Sequence, residues 1–301
     1  MNSSLQIQSV IYHNEKEALF RAMDSISNAI RISRKRDHEI GDVTLCYGDA
    51  SKEPVFTEKE VSDISTRYQE WFSFRYTFFG ENTGTAKGHN RLGENCEAEY
   101  MMIMNPDVLL SPHFFRAIMR PFHDSSLNAG LVEARQTPIE HPKDYDIKTG
   151  ETGWATTACA VFPTEIFQQI GGFDAESFFM YCDDLDFSWR IRLLGKKIIY
   201  QPLAPVFHAK RLSATGAWKP TAAEVYYSAE AALFLAYKWS ANKRCEELVS
   251  QFSGSQDENL KKAADTFLKR KAEGSLPDQI DKNHKVAEFH GNYYCKHRFV
   301  L

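Results

Sequence analysis

The sequence predicts an α/β fold: a mostly parallel central sheet flanked by helices, with a C-terminal helical extension. Three observations carry this. Strand-like and helix-like patterns alternate through the first half, the rhythm of a parallel sheet covered on both faces. "YMMIM", residues 100–104, is apolar at every position, as a strand buried on both faces requires. From Thr221 onward the pattern becomes helical and more charged, with Val225, Ala229, Leu233 and Ala236 on one stripe.

The elements follow in order. Residues 6–12 read as the first strand. Asn14 is placed to cap a helix in which Leu19, Ala22, Met23, Ile26 and Ile30 recur at helical spacing. Residues 43–47 form a second strand. Phe72, Phe74, Tyr76 and Phe78 alternate with polar residues, giving a third. A glycine-rich loop, "GENTGTAKGHN" at 80–90, leads into a helix ending near Cys96. The 100–104 strand stops at Asn105-Pro106-Asp107. Ser111-Pro112 then supplies the N-cap and first turn of a helix running to about Arg120. Residues 131–135 and 157–162 read as strands. Pro163 begins a short helix that stops at Gly171-Gly172. The acidic segment after it opens another helix through Leu194, with Gly195 as its stop. Residues 197–200 return as a strand. Loop-like composition at 253–258 and 274–277 divides the helical extension.

A chain of 301 residues allows one large domain or two small ones. The formal charge of -4 offers nucleic acid no attraction, so no nucleic-acid partner is expected. Basic clusters at 31–36 and 261–271 read as solvated helix faces. Six scattered cysteines without a C-x-x-C pair argue against zinc and for free thiols in a reducing compartment. No leader pattern and no membrane-length apolar run is present. A cytoplasmic protein is therefore expected, with peripheral contact at the inner face of the plasma membrane left open.

In such sheets ligands bind beyond the carboxyl ends of the strands, here after Tyr12, Tyr47, Phe79 and Met104. Asp107 then has two readings. Asn-Pro-Asp is good turn chemistry, and a lone carboxylate also suits a magnesium-diphosphate. The stretch "FFMYCDDLDFSWRIRLLG", 178–195, places Asp183, Asp184 and Asp186 behind an aromatic run. Helix N-termini stabilise acids, which accounts for one or two of them. An apolar approach also desolvates an acid and raises its basicity, as a general base for a sugar hydroxyl needs. Helical spacing sets Asp183 near Asp186 and turns Asp184 to another face. Base and structural cap both stand at this point. His208 ends an apolar run and reads as a packed histidine or as a metal ligand. The glycine-rich loop matches neither the P-loop nor the dinucleotide-binding pattern.

Four segments in order resemble the family 2 glycosyltransferases of the rhamnosyltransferase-like and galactofuranosyltransferase-like kind. They are "SVIYHNEKEALFRAMDSI", "ENTGTAKGHNRL", "YMMIMNPDVLLSPHFF" and the run from "GWATTACAVF" through "GGFDAESFFMYCDDLDFSWR" to "IIYQP". The resemblance covers residues 6–215. It implies a GT-A (Rossmann-like) fold and inverting transfer from a nucleotide sugar. It divides the chain into a transferase domain at 1–220 and the extension at 221–301. Within the domain, 1–107 is the nucleotide-sugar half and 108–220 the acceptor half. By the same resemblance Tyr12, Asn14, Glu15, Asp49, Lys87, Asn90, Asn105 and Asp107 serve the nucleotide-sugar donor. Asp107 holds Mg2+ or Mn2+, with His208 as a further ligand. Asp184 is the catalytic base, and Trp154 and Asp183 contact the acceptor. The chain departs from the family where Asn105 replaces the first acid of the DXD-type motif and Asp183 replaces the usual glutamate. "CYGDAS" also stands where Asp-Asn-x-Ser is commoner. dTDP-rhamnose is the leading donor, with UDP-galactofuranose and UDP-hexoses open. The acceptor is a bacterial surface glycan, free or lipid-linked. A nucleotidyltransferase would want a glycine-rich loop with basic residues after the first strand, where "IYHNEKEALF" offers only Lys16 and no glycine. A non-catalytic scaffold is the other alternative, and a homodimer is left open.

Overall fold

The computed structural model describes residues 3–36, 38–208 and 220–299. The chain opens with β1 (Ser3–Ile11), α1 (Lys16–Arg36), β2 (Ile40–Asp49), α2 (Glu58–Tyr68) and β3 (Ser73–Phe78). Leu19, Ala22, Met23, Ile26 and Ile30 form the buried face of α1, and its last turn carries Arg34, Lys35 and Arg36 where the helix dipole favours cations. α2 is held at its start by a reciprocal capping box between Thr57 and Glu60.

Next come α3 (Gly84–Gly93), β4 (Tyr100–Met104), β5 (Val108–Leu110), α4 (Phe114–His123), β6 (Ala129–Thr137), β7 (Glu151–Thr152) and β8 (Cys159–Pro163). They are followed by α5 (Thr164–Ile170), α6 (Asp183–Leu193), β9 (Lys197–His208), α7 (Ala222–Lys238), α8 (Asn242–Ser253) and α9 (Glu258–Ala272). The strands form one sheet in the order β3-β2-β1-β4-β8-β6-β9-β5, with β7 paired to β9. β3, β2, β1 and β4 run parallel. β8 is inserted antiparallel between β4 and β6, and β6 runs parallel to β9. β1, β2 and β4 therefore end at one edge, at Ile11, Asp49 and Met104. The Ser9 hydroxyl ties that edge by donating to the Met104 carbonyl at 2.6 Å.

One core packs α1, α2 and α4 against this sheet. A second joins α6 to α7, α8, α9 and the C-terminal tail through Trp189, Trp239, Phe234 and Phe267. The extension thus shares its core with the acidic helix. No helix among the described residues is long and apolar enough to cross a membrane. The six cysteines are free and buried.

The structure corrects several expectations. Asn14 does not cap α1: its Oδ1 accepts from the Tyr12 N–H at 2.8 Å, and the helix starts at Lys16. The glycine-rich stretch is mostly helix, because α3 begins at Gly84. That residue has φ +65°, and a Cβ there would lie 2.2 Å from the Phe179 carbonyl oxygen, so only glycine fits. α4 begins at Phe114, past Ser111-Pro112. The strand expected at 197–200 runs on to His208 through Pro202 and Pro205, with a register shift against β6 between Ala134 and Arg135. The extension is helical only to about residue 273. The remainder returns as an extended strap whose His297 bridges to Lys143.

Candidate active site

The carboxyl edge of the sheet gathers the first group of residues. Tyr12 follows β1 and is 52% exposed, beside a His13 in left-handed conformation. Glu15 is exposed at the start of α1. Asp49 is fully buried, and its carboxylate is committed. It accepts from Ser51 N–H at 2.9 Å, from Val55 N–H at 2.7 Å and from the Tyr76 hydroxyl. The structure therefore gives Asp49 the work of shaping the 50–55 loop. Lys87 is half exposed on α3 and pairs with Glu81 at 3.0 Å. Asn90 on the same helix bonds the Phe173 backbone in both directions, at 2.7 and 2.8 Å, and so fastens α3 to "GGFD".

Asn105 and Asp107 turn the chain from β4 into β5. Val108 then pairs with His208, which brings the end of β9 beside Asp107. His208 Nε2 lies 3.5 Å from Asp107 Oδ1 and 3.4 Å from Asn105 Nδ2. Its Nδ1 faces Gln136 Oε1 at 2.8 Å. A ring whose Nδ1–H is taken by a carbonyl oxygen keeps its Nε2 lone pair free for a cation. One carboxylate and one imidazole suit Mg2+ or Mn2+ completed by phosphate oxygens and water. Among the described residues no larger cluster of metal-binding side chains occurs.

The three aspartates of the acidic segment do three different things. Tyr181 and Cys182 both take positive φ, 68° and 53°, which swings the chain into the N-terminus of α6. Asp183 accepts from the Thr85 hydroxyl at 3.0 Å and links α6 to α3. Asp186 is fully buried. It receives Arg190 Nε at 2.7 Å, Lys238 Nζ at 2.6 Å and Trp239 Nε1 at 3.1 Å, which anchors α6 to α7. Among the described residues the Asp184 carboxylate accepts from the neighbouring Leu185 N–H, at 2.8 Å, and makes no hydrogen bond to another side chain. Burial is the main force pushing the Asp183 and Asp184 carboxyls up, to about 6 and about 7. For Asp184 the charge of Asp183 adds to it, and Lys143 opposes it.

Segment 154–158 joins the two groups. Ala158 accepts from the Asn105 N–H at 2.8 Å. Ala155 N–H donates at 3.0 Å to Ser188, whose hydroxyl donates to the Asp184 carbonyl at 2.7 Å. Trp154 itself is buried, with the Lys143 ammonium 4.1 Å from its ring centre. Phe178 is buried core, and Phe179 stacks on Tyr227 at 4.6 Å. Sequence reading missed Glu133, Gln136, Lys143 and Thr156, which form a buried polar chain behind the site. A glutamate inside the apolar strand run 131–135 was the available signal, since a buried charge needs a partner.

No family model matches the chain. The N-acetylglucosaminyl-diphospho-decaprenol L-rhamnosyltransferase of Mycobacterium tuberculosis is 35% identical over 95 residues, 31% of this chain and 28% of that protein. The chain thus spans little more than a quarter of that relative's length. The structure of GalNAc-T7 with UDP, GalNAc and Mn2+ superposes with a TM-score of 0.62 at 12% identity, covering 96% of this chain and 60% of that one. The Pyrobaculum calidifontis mannosyltransferase PcManGT, in complex with GDP-Man and Mn2+, gives 0.55 at 16% identity over 92% and 81% of the two chains. The antiparallel β8 inside an otherwise parallel core and these superpositions agree: the chain has the GT-A fold, and 95 of its residues are similar to a rhamnosyltransferase.

Proposed function

We propose that the chain is an inverting glycosyltransferase that moves rhamnose from dTDP-rhamnose to a lipid-linked glycan acceptor at the cytoplasmic membrane face. One observation carries the reading. Of three clustered acids, two are tied into the fold, while Asp184 makes no hydrogen bond to another side chain among the described residues and has its basicity raised. The donor and acceptor classes are taken from the mycobacterial relative, whose name gives a rhamnosyl group and a diphospho-decaprenol carrier.

In this reading Tyr12 and Glu15 border the nucleotide, and Asn105 and Asp107 face its diphosphate. Asp107 and His208 would hold a divalent cation, which when bound would offset charge on the departing diphosphate. Asp184 takes the proton from an acceptor hydroxyl. That oxygen attacks the anomeric carbon from the face opposite the diphosphate, whose carbon–oxygen bond breaks with both electrons leaving on the phosphate. A single displacement inverts the configuration. Asp183 keeps Asp184 basic by its charge and holds α6 against α3.

The test is a panel of nucleotide sugars with Mn2+ or Mg2+ and an N-acetylglucosaminyl-diphospholipid, with NMR of the product linkage. Transfer from dTDP-rhamnose with inversion is expected. Asp184→Asn should lose about 10²–10⁴-fold in rate while donor affinity stays close to the parent's. Turnover near the parent rate would place the base elsewhere. Product from UDP-galactofuranose or a UDP-hexose alone would replace the donor. No product from any sugar, with binding intact, would favour a scaffold.

A further inference from the structure

Glu133 and Lys143 are 2% and 6% exposed and form an ion pair. Burying two charges stabilises little compared with apolar residues of the same volume, so the pair calls for a specific use. Its surroundings supply one at each end.

Toward the sheet edge, Thr156 Oγ1 lies 2.9 Å from Glu133 Oε1 and 2.6 Å from Gln136 Nε2. The donor order along this chain is forced. A carboxylate only accepts, so the Thr156 hydroxyl donates to it. Gln136 must then offer its amide N–H to Thr156 and its carbonyl oxygen to His208. His208 consequently carries a proton on Nδ1, and in the neutral ring the Nε2 lone pair is the one turned toward Asp107 and Asn105.

Toward the acidic helix, the Lys143 ammonium lies over Trp154, whose neighbour Ala155 is bonded through Ser188 to the Asp184 backbone. The lysine is held in place by the C-terminal strap. Asp144 N–H donates to the Lys296 carbonyl at 2.9 Å, and Arg298 N–H donates to the Pro142 carbonyl at 2.8 Å. Among the described residues, the groups facing Asp184 are Asp183 on its own helix, Cys182 before it, Glu133 on β6, Lys143 after β6 and Tyr294 on the strap. Lys143 is the cation of that set.

We propose that the Glu133–Lys143 pair is the positioning hub of the site, orienting His208 through Thr156 and Gln136 and, from its place over Trp154, presenting its ammonium on the Asp184 side. The proposal rests on the reading of Asp184 as base and His208 as ligand, yet its test needs neither substrate nor turnover. Two NMR measurements on the full, substrate-free chain read the two ends. The carboxyl carbon of Asp184, assigned by its loss in Asp184→Asn, is titrated. Its midpoint should rise by about one pH unit in Lys143→Met and stay with the parent's in Lys143→Arg. The imidazole nitrogens of His208, assigned with His208→Gln, should show Nδ1 protonated in the parent and a mixture of tautomers in Thr156→Val. Should Lys143→Met fail to fold, the double variant Glu133→Gln/Lys143→Met keeps the volume without charge, and its midpoint should rise by less. An unmoved Asp184 midpoint, or an unchanged His208 tautomer, overturns the hub, because a change at one end alone is not what a shared pair produces. Loss of transfer in Asp184→Asn tests the base separately, so either idea can fail without the other.

Discussion

Replacing Asp184 by asparagine should make the fold more stable at alkaline pH while removing the proposed base. The carboxyl is pushed from 3.8 to about 7 by burial and by the Asp183 charge. The native protein therefore holds this proton more tightly than the unfolded chain does. Below pH 3.8 both states are protonated and Asp184 costs nothing. As pH rises from there toward 7, the unfolded chain gains by ionising and stability falls; above 7 the full cost is present. A rise of about three pH units corresponds to about 4 kcal/mol, at about 1.36 kcal/mol per pH unit. Asp184 is only partly buried and shares the effect with Asp183, so about 2 kcal/mol is the working value. The assay is urea denaturation of the parent and of Asp184→Asn at pH 5 and pH 8. The variant's advantage should be about 1 kcal/mol larger at pH 8. An advantage equal at both pH values, or a variant less stable than the parent at pH 8, refutes the idea that Asp184 is held against ionisation.

Three further outcomes follow from the same contacts. Asp186→Ala strips Arg190, Lys238 and Trp239 of a shared buried partner and should cost about 3–5 kcal/mol in urea denaturation, where a loss below about 1 kcal/mol would mean that α6 is anchored elsewhere. Thr156→Val breaks the support behind His208 and should weaken Mn2+ binding about 10–100-fold by calorimetry, whereas unchanged affinity would remove His208 from the cation site. Gly84→Ala forces a Cβ into the Phe179 carbonyl at positive φ and should cost about 2 kcal/mol or more; a neutral effect would show that this turn yields easily.

Local periodicity revealed much of the fold. The α1 stripe, the uniformly apolar β4 and the acidic start of α6 are properties of short windows, and each appears in the structure as read. α2 escaped notice although "TEKE" at 57–60 carries its capping box, because its buried face consists of little more than Ile64 and Tyr68. β9 looked finished at Tyr200 because two prolines follow. Its pairing with β6 absorbs them at a register shift, which no local pattern announces. The glycine-rich stretch 80–90 read as a loop, whereas α3 uses Gly84 and Gly88 for close packing against Phe179 and Val10.

The site divided in the same way. Asp107, His208 and Asp184 stand at element ends, where sequence position alone marks them. The roles of Asp49 and Asn90 depend on which distant backbone groups they meet, Val55 and Phe173, and only the fold supplies those partners. Glu133 and Lys143 are further apart still in legibility, since a loop lysine reads as solvated until the strap covers it.

Division of labour across the carboxyl edge is the central claim of the proposed function: Asp107 and His208 would hold the cation that meets the donor's diphosphate, and Asp184 would act only on the acceptor. Calorimetric titration of dTDP-rhamnose into the parent, Asp107→Ala and Asp184→Asn, with and without Mn2+, tests it most directly. Metal-dependent binding should be alike in the parent and Asp184→Asn and at least about tenfold weaker in Asp107→Ala. Equal affinity in Asp107→Ala, or loss of binding in Asp184→Asn, would contradict it.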